Sequence, residues 1–416
     1  MYSILYLVIL VNILIVTKTL YNSILKPNVL FSSIWCIAAS IASIGLFGIY
    51  KPSDLVQFYS ITLILIFNIS YFSWNRLKIT KKPFLISGGI NLKLIVVFNL
   101  IAWIYSLKFL LESLDIILNR GGFKVLRLYA FNSEMGLGTT SELLILQIFV
   151  NSIFTVTAIL FVITLVTKKY NYKLSIIAII DICMYTLLFG GRELPFNVVL
   201  FYFAAFIIYK SLNGGFKKVK MNKKLVLTLV IALFGLTVSR SWGDISFIES
   251  IVQYFTSGFN HLSVILNEVN DEQFLWGTAT FGFIVNLFLM VFSVIFGIEY
   301  NGSDYIITSI TSIPRYISPT LMTNANTTIL YPFIKDLGFF GVVIGACFLS
   351  GFTSFIEKSF IKFGSMRLFG LYIFVISVLL RSTFTYRLLF PAAAVTIFFI
   401  IIFTKKTKNT SFNQGE

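Results

Sequence analysis

An all-α, polytopic integral membrane bundle of about 11–12 spans is what this sequence predicts, and three observations predict it. The chain is 57% hydrophobic and only 12% charged, where a soluble chain carries about a quarter charged residues. Its mean hydropathy is +0.89. Its apolar runs repeatedly approach the roughly 20 residues that a membrane span needs, and short basic segments separate them.

Taken in order, the runs predict helices over 3–17, 28–49, 55–74, 90–111, 142–167, 174–189, 194–210 and 222–239, then 332–355, 367–381 and 386–404. The connections orient them. Cytoplasmic loops are rich in Lys and Arg, which places "NRLKITKK" (75–82), "KKYNYK" (168–173), "KSLNGGFKKVKMNKK" (210–224), "EKSFIKFGSMR" (357–367) and "KKTK" (405–408) inside. Lys18 and Lys26 agree, so the N-terminus falls outside and the C-terminus inside. The apolar run 278–298 breaks this parity if it crosses alone. Either it is re-entrant or interfacial, or it crosses with a partner near 246–267, a poor span because it holds Glu249, Gln253, Asn260 and His261. The re-entrant or interfacial reading is favoured. The chain then reads as one membrane domain, 1–416, with external regions at about 112–141 and 240–331.

Several classes are excluded. The net charge of +16 follows membrane sidedness and gives no basic nucleic-acid face. Cys36, Cys183 and Cys347 all sit inside apolar runs, and His261 is the single histidine, so no Cys- or His-rich metal site is predicted. The 8 prolines and 26 glycines are scattered, with no disordered linker and no obvious repeat. The first apolar run reads as an ordinary span and not as a cleavable signal.

The cations sort by type as well as by side. Of 24 lysines, 19 fall inside; of nine arginines, seven fall outside, namely Arg120, Arg127, Arg192, Arg240, Arg315, Arg381 and Arg387. Sidedness explains the lysines but not the outward arginines. Arginine's planar, weakly hydrated fork suits bidentate binding of phosphate or carboxylate. Each arginine taken singly reads as an ion pair or a lipid contact; the set reads as a site for an anionic ligand.

Several stretches together resemble the oligosaccharide repeat-unit polymerases, the O-antigen polymerase or Wzy-type membrane proteins of bacterial surface-polysaccharide synthesis. These are "LKPNVLFSSIW" (25–35), "GGRELPF" (190–196), "YFTSGFNHLSVILNE" with "FLWGTATFGFI" (254–284), and "NANTTILYPFIKDLGFFGVVIGACFLSGF" (324–352). The resemblance implies a glycosyltransferase of the bacterial plasma membrane. It would move a glycan chain from undecaprenyl pyrophosphate onto a repeat unit on the same carrier, at the outer face. A separate chain-length-regulating co-polymerase is a further implied partner, and no cofactor is expected.

Breaking a sugar–pyrophosphate bond leaves charge on the departing phosphate, and fixed cations stabilise it where water is excluded. The outer loops hold no compact Asp-x-Asp motif, so arginines stand in for a metal. In "FGGRELPF" (189–196), Arg192 can reach a lipid pyrophosphate at a helix end, and Glu193 can orient it or accept a proton. "RSTFTYR" (381–387) crowds Arg381, Arg387 and Tyr386 into one turn, which either holds an anion or lets both arginines snorkel to headgroups. In "SRSWGDISF" (239–247), Arg240 precedes Asp244.

A helix then follows, with Phe247, Ile251, Phe255, Phe259, Leu262 and Leu266 along one stripe. This is read as an amphipathic helix on the outer surface, with Tyr254 and His261 on one flank at the lipid–water boundary. His261 is the one side chain here whose unperturbed pKa suits base chemistry near neutral pH; Glu249, Asp244 and Glu193 are rival bases. Arg315, Asn324 and Asn326 in "PRYISPTLMTNANTT" (314–328) suit sugar or phosphate contacts or an ordinary turn, and Asp336 at the next helix start either serves the site or pairs locally. Arg120 and Arg127 in the loop 119–140 suit guidance of the anionic carrier. The alternatives are an O-antigen ligase, a lipid-linked oligosaccharide flippase or transporter, and a structural membrane protein.

Overall fold

The computed structural model describes residues 1–75, 86–122, 125–126, 140–191, 193–212, 247–268, 273–324 and 327–405. In chain order its longer helices are α1 (Tyr2–Tyr21), α2 (Pro27–Ile44), α3 (Asp54–Trp74), α4 (Leu92–Asn119) and α5 (Glu142–Val166), then α6 (Tyr172–Phe189), α7 (Glu193–Leu212) and α8 (Phe247–Glu268). They continue with α9 (Gly282–Phe296), α10 (Ser303–Thr311), α11 (Leu330–Phe363), α12 (Met366–Arg381) and α13 (Pro391–Phe403). The only sheet among the described residues is a small antiparallel pair, β1 (Arg315–Tyr316) with β2 (Met322–Thr323), in the register Arg315↔Thr323. Eight of the described helices, α1 to α7 and α11, are long and apolar enough to cross a membrane. The chain is thus a polytopic helical membrane protein. The predicted run 222–239 lies outside the described residues.

Local chemistry explains the boundaries. Pro27 opens α2, where its missing N–H costs nothing. Gly45 closes the same helix in the left-handed region at φ 73°, a conformation that favours glycine. Asn171 caps α6 by accepting from the backbone N–H groups of Lys173 and Leu174 at 3.1 and 3.3 Å.

Three predicted runs differ from the observed elements. The run 278–298 is helical only from Gly282 to Phe296, 15 residues, or about 22 Å at 1.5 Å per residue, short of a hydrocarbon core of about 30 Å. The run 386–404 opens with a single 3-10 turn, Arg387–Leu389, and its α-helix starts only at Pro391. The run predicted at 332–355 extends to Phe363 but breaks at Leu337 and Gly338, where Gly338 has φ 58° and ψ −130°. Glycine is the residue that adopts this backbone cheaply. The break folds residues 330–336 back along the rest of α11. A Cβ on Gly341 would lie in hard overlap with the Phe333 carbonyl, and one on Gly345 would meet the Phe333 ring at 2.6 Å.

The chain divides into two compact units. The first holds Met1–Lys78, Thr237–Phe355 and Val375–Ala394; the second holds Ile79–Leu236, Ile356–Phe374 and Val395–Glu416. In the first, Phe31 of α2 stacks on Phe67 of α3 with centroids 4.1 Å apart. Asn28 donates to Thr17 of α1 at 2.8 Å and to Asn68 of α3 at 3.1 Å. Such buried amide links matter in a membrane, where apolar side chains gain little by leaving lipid for protein. In the second, Phe98 of α4 meets Phe399 of α13 edge-on at 5.3 Å. Gly370 of α12 comes so close to α13 that a Cβ would lie 3.0 Å from Ile400, the small-residue contact typical of membrane helices.

Candidate functional site

Four stretches far apart in sequence meet in the first unit: α8, the loop 274–283 with the start of α9, the segment 327–338, and the turn 382–390. The loop "GTATFGF" (277–283) is held by side chains from two of the others. Asp336, buried at the break in α11, accepts from the backbone N–H of Ala279 at 3.0 Å, the N–H of Thr280 at 2.6 Å and the Thr280 hydroxyl at 2.5 Å. Tyr386 is buried and donates its phenol proton to the Thr280 carbonyl at 2.7 Å. Its ring meets Phe333 edge-on at 5.1 Å. One turn into α9, Asn286 donates to the Leu389 carbonyl at 2.7 Å and accepts from the Ser303 N–H at 3.0 Å. Gly282 is required here, since a Cβ would lie 2.5 Å from the Leu389 carbonyl oxygen.

The turn 382–390 is equally tied to α8 and α2. Trp35 Nε1 donates to Ser382 Oγ at 2.7 Å, and the Ser382 carbonyl accepts from the Ile329 N–H at 2.9 Å. Phe384 packs on Tyr254 at 4.8 Å and on Phe255 at 5.6 Å. Gly258 lets α8 meet the turn's backbone, because a Cβ there would lie 2.7 Å from the Thr383 carbonyl oxygen. On a helical wheel His261 lies about 60° from Gly258, so it shares the side of α8 that meets the turn.

This arrangement corrects the placement of α8. The helix was expected to lie along a surface with His261 at a lipid–water boundary. Instead every residue from Thr256 to Ser263 is buried, and His261 is 0% exposed. The expected apolar stripe divides: Phe259 and Leu262 are buried, while Ile251, Phe255 and the flanking Tyr254 are exposed. The cause is the small-residue run Thr256-Ser257-Gly258, which admits neighbouring backbone. Trp35 of α2 closes another side, with its ring 5.4 Å from Phe259.

The remaining predicted residues fall in different places. Arg315 is nearly buried; its Nε donates to Glu268 Oε2 at 2.8 Å and its Nη1 to the carbonyls of Ile310 and Ile313 at 2.8 and 3.2 Å. It ties the end of α8 to the end of α10. Sequence reading missed Glu268 because the pair spans 47 residues. Arg315→Ala is expected to lower stability by about 1–2 kcal/mol, since it removes three hydrogen bonds made by a nearly buried guanidinium while the exposed Glu268 regains water. Thermal unfolding in detergent measures this. Arg315→Lys should recover only part, because an ammonium lacks the planar fork.

Asn324 is exposed and donates to the Ser312 carbonyl at 3.4 Å. Arg381 ends α12 and Arg387 opens the 3-10 turn; both are half-buried. In the second unit, Arg120 pairs with Asp115 at 2.8 Å on an exposed helix end, a contact worth little by itself. Glu193 accepts from the Tyr185 hydroxyl at 3.4 Å, beside the left-handed Gly190. Arg127, Arg192, Arg240 and Asn326 lie outside the described residues. No cluster of three or more His, Cys, Asp or Glu side chains suited to a metal occurs among the described residues.

Neither protein-family models, nor curated proteins, nor solved structures gave a match to this chain.

Proposed function

We propose that this protein is a bacterial surface-polysaccharide polymerase of the plasma membrane. It transfers an undecaprenyl-pyrophosphate-linked glycan chain onto an undecaprenyl-pyrophosphate-linked repeat unit at the outer face and releases undecaprenyl pyrophosphate. In this reading the chain crosses the membrane about 11–12 times, the region 240–331 is external, and the short α9 is re-entrant or interfacial. Arg192 and Arg240 stabilise the departing pyrophosphate, His261 takes the proton from the acceptor hydroxyl, and Arg381 and Arg387 hold the carrier's phosphates. Arg120 and Arg127 guide the carrier inward.

The observation that carries the reading is convergence. The segments 254–268, 274–284 and 327–338, drawn from two of the four stretches that carry the family resemblance, interlock with the turn 382–390 in one unit, through Asp336, Tyr386 and Gly258. They bring His261 to the side of α8 that meets a turn flanked by Arg381 and Arg387. A passive membrane scaffold gives no reason for a buried histidine on a helix packed against such a turn.

The test is reconstitution of purified protein with a synthetic undecaprenyl-pyrophosphate repeat unit, with products read by gel and mass spectrometry. Wild type is expected to give a ladder spaced by one repeat unit, unchanged by a metal chelator. Arg192→Ala is expected to lower the rate by roughly 10²–10³-fold, the range for removing a transition-state charge partner. No ladder from any of several repeat-unit types, with the protein folded, overturns the reading. A single transfer to a lipid A core would favour the ligase instead.

A further inference from the structure

A second polar constellation lies in the other unit and takes no residue from the transfer chemistry. Asp181 stands at the middle of α6 and is fully buried. The Trp103 indole Nε1 on α4 donates to Asp181 Oδ1 at 2.8 Å, while Asp181 Oδ2 is buried with no hydrogen-bond partner. The Thr157 hydroxyl on α5 lies beside the same carboxylate. That hydroxyl accepts from Asn99 Nδ2 of α4 at 3.1 Å and donates to the Ile153 carbonyl at 2.9 Å. Asn99 is also fully buried, and its Oδ1 is a second acceptor with no partner. Asn99 and Trp103 are four apart, on one face of α4. Three helices therefore bring an amide, a hydroxyl and a carboxylate together, and the amide and the carboxylate each keep one oxygen without a donor.

No cation among the described residues answers the carboxylate. On α4 the nearest bases are Lys93, six residues before Asn99, and Lys108, five residues after Trp103. Lys108 is already paired with Glu142 at 3.0 Å. After Glu142, α5 has no acid or base. On α6 itself Lys173 is eight residues away, and Cys183, two residues on, is exposed. α7 packs against α6 but carries its charges, Glu193 and Lys210, near its two ends. An uncompensated charge at such depth is costly and marks a functional site by default.

We propose that Asn99, Thr157 and Asp181 form an intramembrane site for one monovalent cation, a proton or a sodium ion. A proton on Asp181 Oδ2 neutralises the carboxylate and turns a stranded acceptor into a donor. A sodium ion takes the same oxygen together with Asn99 Oδ1 and Thr157 Oγ1. Either cation ties α4, α5 and α6 together, so occupancy sets the stability of this unit.

Thermal unfolding of the full chain in lipid nanodiscs separates the two sources, with wild type set against Asp181→Asn, a neutral near-isostere. For sodium, replacing choline chloride by sodium chloride at constant ionic strength raises the melting temperature of wild type by several degrees and leaves Asp181→Asn unmoved. For a proton, wild type in choline loses stability as pH rises from the ordinary carboxylate range towards neutral, while Asp181→Asn stays flat. Wild type and Asp181→Asn responding identically to both variables would overturn the proposal. If Asp181→Asn does not fold, Asn99→Leu serves as the second variant, and equilibrium dialysis of wild type with radioactive sodium, competed by acid, gives a direct reading. The absence of both sodium uptake and any pH response then sinks the idea.

Discussion

Asp336→Ala is expected to destabilise the protein by about 3–5 kcal/mol, the largest structural loss of any single substitution named here. The buried carboxylate accepts from two backbone N–H groups and one hydroxyl of the 279–280 turn. Removing it strands these donors away from water, at about 1–3 kcal/mol each before relaxation. Because Tyr386 holds the same turn through the Thr280 carbonyl, the loss should spread to the start of α13. A total stability of about 5–15 kcal/mol leaves little margin. A lowered melting temperature in detergent and reduced membrane abundance are the expected signs. Asp336→Asn keeps one acceptor oxygen and should lose roughly half as much. If Asp336→Ala melted like wild type and lost only activity, the carboxylate would instead be a substrate contact, as sequence reading expected.

His261→Gln is expected to lower polymerisation by roughly 10²–10⁴-fold, the usual contribution of a positioned general base, with little change in melting temperature. Glutamine is chosen because it fills the fully buried position and keeps hydrogen-bonding capacity while removing the base. His261→Ala would confound the result by adding a cavity. The sharper readout is the kinetic split: the loss should fall on kcat, with KM for the carrier little changed. Full activity in His261→Gln would reassign the base. Glu249 is then one candidate; its carboxylate accepts from Gln253 at 3.2 Å, one turn along α8.

Much of the fold was legible in the sequence. The runs at 3–17, 55–74 and 174–189 became α1, α3 and α6 within a few residues, because a lipid-exposed span must satisfy its own backbone and carry an apolar surface. The candidate site was legible only as separate stretches. Arg315 and Asp336 read as ligand contacts in sequence because a charge in a loop or at the start of a span has no visible partner. Arg315 found Glu268 and two carbonyls, and Asp336 found a turn 56 residues away. The helix wheel of α8 showed one apolar stripe, yet from Thr256 to Ser263 both sides are covered, since Gly258 and its small neighbours admit a backbone that periodicity cannot detect.

The sequence by itself therefore determined the class of molecule and the position of most described helices. These properties are set by neighbours in the chain and by the solvent, whether water or lipid. Only the tertiary structure decided that His261 is buried, that the Asp-Leu-Gly at 336–338 is a helix break and a clamp, and that Asn99, Thr157 and Asp181 share one interior site. Each of these depends on a hydrogen bond or a backbone approach between residues tens to hundreds of positions apart. Such contacts are short-ranged in space but leave no periodic mark along the chain.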